Sequence, residues 1–352
     1  MSFAAAPSAD SDIDGRVGVV RVILLHGAGL GDLVAASVRE DIDARPVYAD
    51  DSAMIIDTGA SASKIGRLGY LKNAYRVIGS VPRRGALQRS LDEIGRRVPG
   101  WQLPGGKGPF RVMFSEDGQL ASVPQRGRAR IEEAVARRTR GRVERRGGRG
   151  EEYWILTRRD LDEVLFTTRI NLAKAPKAAA GALRPDLAQL LVGAAGRHPD
   201  DVFLDPFGGS GALLSARLTS RVERAIYSDL KYGSRSGPTV EPRLERAPHV
   251  TLLSEDARTL PSVDDGSVDV IVTDPPWGEY ETLTDAFGDF IADVLACFER
   301  VLVPEGRLVL LTSRRLVGTT LGEWKRRRLV VDSTHDVLVN GHPATVIVGG
   351  RG

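Results

Sequence analysis

The sequence predicts an α/β protein, with a doubly wound, mostly parallel sheet in the C-terminal half preceded by two small α+β units. Three observations carry this. Strand-like apolar runs recur at 202–206, 224–229, 250–256, 268–276 and 307–313, and all but the last close on or just after an Asp. Segments with helical spacing lie between most of them, at 185–196, 211–222 and 287–302, and strands alternating with helices imply parallel pairing through right-handed crossovers. The first half lacks that rhythm, and 352 residues at roughly 150 per domain predict two or three domains.

In chain order, residues 1–15 are small, polar and acidic and read as a disordered lead-in. From Val17 the run VGVVRVILL is a strand, followed by HGAGLGDL and a helically spaced VAASVREDI. Tyr48–Asp57 ends in a strand-like stretch, and 62–78 places Ile65, Leu68, Leu71, Ala74 and Tyr75 at helical intervals. Residues 16–80 thus form the first unit. Residues 85–98 are helical through Leu87, Leu91 and Ile94, WQLPGGKG is a loop, and PFRVMF opens a strand. A basic helix over 128–138 has Ile131 and Val135 as its apolar face, and VERRGGRGEEYWILTRR reads as strand, Gly-rich turn, strand. These make a second unit over 81–172. In 173–352, Phe290, Val294, Phe298 and Leu302 repeat every four residues, with Ile291 and Leu295 widening the stripe and Cys297 beside it. RRLVVDSTHDVLVN and PATVIVGG close the sheet as a hairpin.

Composition narrows the class. With 42% hydrophobic and 27% charged residues the chain is an ordinary globular protein. A net charge of 49 − 46 = +3 does not by itself suggest nucleic acid. Cys297 is the single cysteine, so there is no internal disulfide, and no CxxC or Cys/His cluster offers a metal site. His26, His198, His249, His335 and His342 are scattered and take no role. No apolar run approaches the ~20 residues that span a bilayer, and MSFAAAPSAD is no signal peptide. A cytoplasmic protein without a membrane partner is expected, with a monomer favoured.

Ligands of open parallel sheets bind beyond the carboxyl ends of the strands. At the first such end stands Asp205-Pro206-Phe207-Gly208-Gly209-Ser210-Gly211, directly before a helix. Glycines there let backbone N–H groups approach a ligand, and the helix N-terminus adds positive potential. A plain strand–turn–helix connection is the bland alternative for this motif. The second strand ends at Asp229, an acid placed to accept both hydroxyls of a ribose, or equally to cap a helix. The third ends Ser254-Glu255-Asp256-Ala257, where Asp256 can accept from an adenine amine, with Glu255 as competitor. On successive strand ends these become a nucleoside pocket. The fourth ends Thr273-Asp274-Pro275-Pro276-Trp277-Gly278. Its prolines stiffen the loop and free the Pro275 carbonyl, Asp274 adds a carboxylate, and Trp277 offers a flat stacking face. A planar amine donates two N–H bonds, which one carboxylate and one carbonyl complement. Holding both aims the nitrogen lone pair at an electrophile.

The order GALRPDLAQLL, LDPFGGSGALL, YSDL, SEDA, TDPPWG resembles a class I S-adenosylmethionine-dependent methyltransferase of the amino-methylating type. More closely, ALRP before DPFGGSG with DPPWG later is similar to the THUMP-domain RNA guanine-N2 methyltransferases. The likeness is specific over about 173–352 and thinner upstream, where PFRVMFSEDG, EEYWIL and GLGDLVAASVRED carry it. The family usually has Tyr where Trp277 stands, and Cys-Gly or Met-Gly for Gly208-Gly209. The resemblance implies a ferredoxin-like unit (16–80), a THUMP RNA-binding domain (81–172) and a Rossmann-like catalytic domain (173–352). It implies S-adenosylmethionine as cofactor, with Leu183, Arg184 and Pro185 at its methionine end and Asp205, Phe207, Gly208, Gly209, Ser210 and Gly211 around its amino-acid moiety. Asp229 and Leu230 serve the ribose, Asp256 and Ala257 the adenine. Asp274, Pro275, Pro276 and Trp277 hold the target base. The sulfonium methyl is already activated, so no metal or covalent nucleophile is implied.

Between Arg126 and Arg149 stand about ten arginines against three acids. Arg126, Arg128, Arg130, Arg137, Arg138, Arg140 and Arg142 are the candidate RNA contacts, weighed against a solvated helix in an Arg-rich proteome. Lys325–Arg328 reads as solvated surface. The leading expectation is methylation of guanosine N2 in tRNA. The rivals are guanine-N2 or adenine-N6 methylation of ribosomal RNA, and a non-catalytic RNA-binding protein retaining the fold. DNA is disfavoured because no helix-turn-helix pattern occurs, and a small-molecule substrate because the Arg-rich half would then be idle.

Overall fold

A computed structural model describes residues 18–144, 150–173, 182–277 and 287–352. The expected lead-in (1–15), part of the Gly-rich turn (145–149) and Gly278 lie outside the described residues. The described residues form two compact units, one from those up to His26 with those between Val38 and Ala173, the other from Gly27–Ser37 with those beyond Ala173.

The first stretch runs β1 (Val20–Leu25), α1 (Gly31–Ile42), β2 (Pro46–Ala49), β3 (Ala53–Thr58), α2 (Ala62–Ile65) and β4 (Asn73–Pro82). It continues through α3 (Leu87–Arg97), β5 (Pro109–Glu116), β6 (Gln119–Leu120), α4 (Gln125–Thr139), β7 (Arg142–Val143), β8 (Glu151–Thr157) and β9 (Glu163–Ile170). The strands make one sheet in the order β2-β3-β1-β4-β9-β8-β5-β6, with β7 beside β5. β4 pairs with β1 on one side and β9 on the other, so strands from 20–82 and from 109–170 share a single sheet. Alternation along each strand separates its two faces. Phe110, Val112, Phe114, Tyr153 and Phe166 pack under Leu91 and Ile94 of α3 and Ile131 and Val135 of α4. The opposite face carries Ile23, Leu25, Tyr75, Trp154 and Leu165.

One expectation is corrected here. The helix read over 62–78 is only the four residues of α2, and Asn73–Pro82 is a ten-residue strand. The backbone at Gly66 accounts for the stop. A Cβ there would lie 2.7 Å from the Asn171 carbonyl oxygen, and Ala173 N–H donates to the Gly66 carbonyl at 2.7 Å. Two-sided pairing of β4 outweighs a marginal local helical preference.

The second unit contains α5 (Pro185–Ala194), β10 (Val202–Asp205), α6 (Ala212–Arg217), β11 (Arg224–Ser228), α7 (Pro242–Glu245), β12 (Val250–Leu253) and β13 (Val268–Thr273). It ends with α8 (Phe287–Val301), β14 (Leu302–Ser313), α9 (Val317–Lys325), β15 (Leu329–Val339) and β16 (His342–Arg351). The order is β12-β11-β10-β13-β14-β16-β15. β10 through β14 pair in parallel, and β16 runs antiparallel to both its neighbours. This is the expected doubly wound, Rossmann-like sheet with its closing hairpin. Phe290, Ile291, Val294, Leu295 and Phe298 of α8 pack on Ile271, Leu308 and Leu310, and Cys297 is buried beside them. The helix expected over 211–222 is confined to α6, and α9 has no counterpart in the sequence reading. Its fully buried Trp324 donates from Nε1 to the Val330 carbonyl at 3.2 Å.

At the start of β10, buried Asp201 joins two arginines. Its Oδ2 accepts from fully buried Arg217 Nη2 at 3.2 Å and its Oδ1 from Arg307 Nη2. Arg217 also donates to the carbonyls of Arg221 at 2.9 Å and His198 at 2.6 Å. Among the described residues, no helix is long and apolar enough to cross a membrane.

Candidate active site

The sheet order reverses direction between β10 and β13: from β10 the chain proceeds outward through β11 and β12, from β13 through β14. A crevice opens beyond the strand ends at such a point. Asp205, Ser228 and Thr273 are the last residues of β10, β11 and β13, and Leu253 is the last of β12. All four strands run parallel, so the four motifs emerge at one edge.

The loop after β10 is held by its neighbour. Gly208 N–H donates to the Ser228 carbonyl at 2.8 Å, and Gly209 N–H to Asp229 Oδ2 at 3.1 Å. Tyr227 Oη donates to the Gly209 carbonyl at 2.7 Å. Asp229 Oδ1 meanwhile accepts from Lys231 N–H at 2.9 Å. Gly211 sits at φ +80° as the residue before α6, a conformation open to glycine at little cost. At Gly208 the constraint is steric. A Cβ would fall 2.1 Å from the Tyr227 ring, which its own hydroxyl bond holds in place. Gly208→Ala is therefore expected to displace the loop at a cost of about 1–3 kcal/mol of stability, read as a lowered melting temperature by differential scanning calorimetry. Gly209, by contrast, faces nearly open space on its Cβ side.

Asp205 lies beneath the loop, 1% exposed. Its Oδ1 accepts from Phe207 N–H at 3.3 Å, and Oδ2 is buried without a hydrogen-bond partner among the described residues. Burial foremost, with Asp274 and Asp229 nearby, raises its carboxyl well above the usual range. Asp274 is half-buried just past the end of β13, and desolvation pushes its carboxyl up to about 7. The Trp277 indole N–H opposes that rise yet makes no hydrogen bond of good geometry. Pro275 is buried, Pro276 and Trp277 half-buried.

The remaining candidates lie around this edge. Leu183, Arg184 and Pro185 form the entry to α5, where Arg184 forks onto Asp186 two residues on. Phe207 and Ser210 are half-buried, and the Phe207 ring meets Phe290 edge-on at 6.0 Å. Leu230 projects into solvent, 63% exposed, just past the end of β11. Ala257 is buried. Asp256 is engaged by Arg258, whose Nε and Nη2 reach its carboxylate at 3.1 and 2.8 Å, and this hydrogen bonding holds its pKa down. Sequence reading missed Tyr227 and Arg258. Tyr227 stands two residues before Asp229, on the same side of the strand, and that spacing was its available signal.

The arginines of 126–142 are elsewhere, in the first unit. Arg126, Arg130, Arg137, Arg138, Arg140 and Arg142 are exposed. Arg130 pairs with Asp92 at 3.0 Å and Arg137 with Glu133 at 3.1 Å. Arg138 donates to the Trp101 carbonyl at 3.2 Å, and Arg128 lies 5.1 Å over the Phe114 ring. Arg140 ends α4 in the left-handed region. Among the described residues, no group of His, Cys, Asp and Glu is arranged to hold a metal.

A Rossmann-like sheet with acids and glycines closing successive parallel strands, and Asp-Pro-Pro-Trp at the switch point, defines a methyltransferase-type nucleoside site. Residues 173–235 and 243–331 match the model of the UPF0020 family, described as an RMKL-like methyltransferase domain. Over 246 residues the chain is 33% identical to a tRNA (guanine(6)-N2)-methyltransferase of Thermus thermophilus, covering 65% of this chain and 68% of that protein. The crystal structure of TrmN from Thermus thermophilus superposes with a TM-score of 0.69 at 21% identity, covering 94% of this chain and 99% of that one. A structure described as a possible methylase from Clostridium difficile 630 gives 0.61 at 13% identity, covering 95% and 98%. The chain belongs to the family of the Thermus tRNA methyltransferase, and its C-terminal half carries the RMKL-like methyltransferase domain.

Proposed function

We propose that the protein transfers a methyl group from S-adenosylmethionine to the exocyclic N2 of a guanosine in tRNA. The observation that carries the reading is Asp274, half-buried at the switch point with a carboxyl poised near neutrality. The 33% identity to a guanine-N2 enzyme selects the base and the RNA class.

The residues fit the cofactor. Gly209 is nearly open on its Cβ side, Leu230 presents an exposed apolar surface for a base, and Asp229 is an acid just past the end of β11. Asp205 senses the charges of Asp274 and Asp229, so the three carboxyls stand close to one another at this edge. When bound, that group supplies a methyl already activated for displacement. Leu183, Arg184 and Pro185 then border its methionine end, the 205–211 loop its amino-acid moiety, and Asp256 with Ala257 its adenine, Asp256 sharing its carboxylate with Arg258. Asp274 accepts one N–H of the guanine amine and the Pro275 carbonyl the other. Trp277 stacks on the base, which must leave its own stack to arrive. With a pKa near neutrality, Asp274 can also take the proton that the amine releases.

Residues 81–172 serve as a THUMP-like RNA-binding domain behind a ferredoxin-like segment over 16–80, with the arginines of 126–142 contacting phosphates. The enzyme works in the cytoplasm, where its substrate is. The test is nucleoside mass analysis of tRNA incubated with the protein and methyl-labelled cofactor. Label in N2-methylguanosine is expected. Label in N6-methyladenosine overturns the base assignment, and label in ribosomal RNA alone overturns the substrate.

A further inference from the structure

The face of the first unit's sheet turned away from α3 and α4 carries a charged row that the catalytic reading does not use. Register places Tyr75 of β4 beside Arg169 of β9, and Arg111 of β5 beside Glu152 of β8. Pairing of Tyr153 with Thr168 brings Glu152 next to Arg169, and Glu152 Oε2 lies 3.7 Å from Arg169 Nη1. Arg111 Nη2 donates to Glu152 Oε1, Trp154 Nε1 donates to Glu152 Oε2 at 3.0 Å, and Arg169 Nη2 donates to Asn73 Oδ1 at 2.6 Å. The result is an arginine–glutamate–arginine row across three adjacent strands. Its floor is made by the Tyr75 and Trp154 rings, 5.4 Å apart, together with Met113. Exposed Leu120 stands at the rim of a hollow of about 340 Å³.

We infer that this hollow holds a nucleotide from a single-stranded segment of the RNA substrate, with its phosphate on Arg111 and Arg169 and its base against the aromatic and apolar wall. The inference rests on the proposed RNA substrate. Three features support it. A partly buried ion row adds little stability beyond what apolar residues would give, and the same face is apolar elsewhere, at Ile23, Leu25 and Leu165. Two guanidiniums on one carboxylate leave the row net positive, and the side chains of Arg111 and Arg169 remain 35% and 44% exposed, within reach of an anion. Guanidinium forks beside aromatic rings suit a phosphate and a base together. A hollow of about 340 Å³ has room for a single nucleotide. The arginines of α4 lie on the other layer of this sheet, so a phosphate contact there and one in the hollow are separate.

The test is fluorescence anisotropy of the full chain with a tRNA transcript at several salt concentrations, beside steady-state kinetics. Arg111→Ala and Arg169→Ala are each expected to weaken binding about tenfold and raise the KM for tRNA. Each should reduce the slope of log affinity on log salt by about 0.7 for every phosphate that is no longer neutralised, with kcat and cofactor affinity unchanged. Glu152→Gln keeps the bond from Trp154 and removes the negative charge, so it should tighten binding about threefold, a gain that a merely structural role would not yield. A short single-stranded RNA should compete, and a duplex of equal length should not. Unchanged affinity in both arginine variants, weakening in Glu152→Gln, or equal competition by duplex or by a poly-glutamate peptide overturns the inference. Should an arginine variant fail to fold, Glu152→Gln decides alone. Loss of tRNA binding in these variants of a protein that methylates no guanosine would keep this site and remove the enzymatic reading. Methylation with unchanged KM would do the reverse.

Discussion

Asp274→Ala is expected to lower kcat for tRNA methylation about a thousandfold while leaving S-adenosylmethionine affinity within about twofold, because in the proposed arrangement its carboxylate accepts from the amine and not from the cofactor. Single-turnover transfer of labelled methyl and calorimetric titration of the cofactor check the two halves. The pH profile follows from the same group. Burial pushes the carboxyl of the ligand-free protein up to about 7, so kcat/KM of the unaltered enzyme should rise through about pH 7 as Asp274 ionises, then level off. Stability should run the other way. A carboxyl whose pKa is raised in the fold keeps its full stability while protonated, below the ordinary value of 3.8, and loses it as pH rises through about 7. Ionising a half-buried acid of this kind costs on the order of 2–4 kcal/mol. Asp274→Asn should therefore match the parent protein at pH 4 and surpass it above pH 7, as read by denaturant melts. A site stable in its own right would show no such crossover. The positioned acid is held at a cost to the fold, as strained functional groups commonly are.

Asp201→Ala should give the largest loss of stability. It removes the carboxylate shared by Arg217 and Arg307 and leaves Arg217, with no exposed surface, as an uncompensated buried charge. Desolvation already works against that guanidinium, and Asp201 is the chief opposing influence. Breaking one partner of such a buried pair costs about 3–5 kcal/mol, which for a unit of this size corresponds to roughly 10 °C in melting temperature. Replacing both partners, Asp201→Leu with Arg217→Met, should recover much of the loss. That recovery distinguishes burial of an unpaired charge from loss of packing, and differential scanning calorimetry of the three variants reads it. Recovery absent in the double variant would assign the effect to the hydrogen bonds that Arg217 gives to the carbonyls of His198 and Arg221.

The two halves of the chain differ in how openly they declare themselves. Parallel strands are covered on both faces, so VFLD, RAIYS and VDVIVT are apolar-rich without strict alternation, and each ends at or just before an acid. That is why the switch-point residues could be named from sequence. The first unit mixes parallel and antiparallel pairs, and at 62–78 its apolar residues satisfied a helical period by coincidence; Gly66 and Gly69 were the signals against it. Tyr227 escaped notice because its role, bracing Gly209, depends on which strand lies next to which. The Arg111–Glu152–Arg169 row escaped for the same reason: its members come from three strands whose alignment no local pattern discloses. The basic stretch after Arg126 was conspicuous in one dimension, whereas in three dimensions Arg130 and Arg137 lean on carboxylates a turn or a helix away.

The insertion of β16 between β14 and β15 orders events during synthesis. β14, which neighbours the switch-point strand, has one side without a partner until residues 342–351 have left the ribosome, and β15 has no strand to pair with before then. A nascent chain cut short in this stretch would present two open sheet margins to every other protein in the cell, so the methyl-transferring half is committed to completing itself late and all at once.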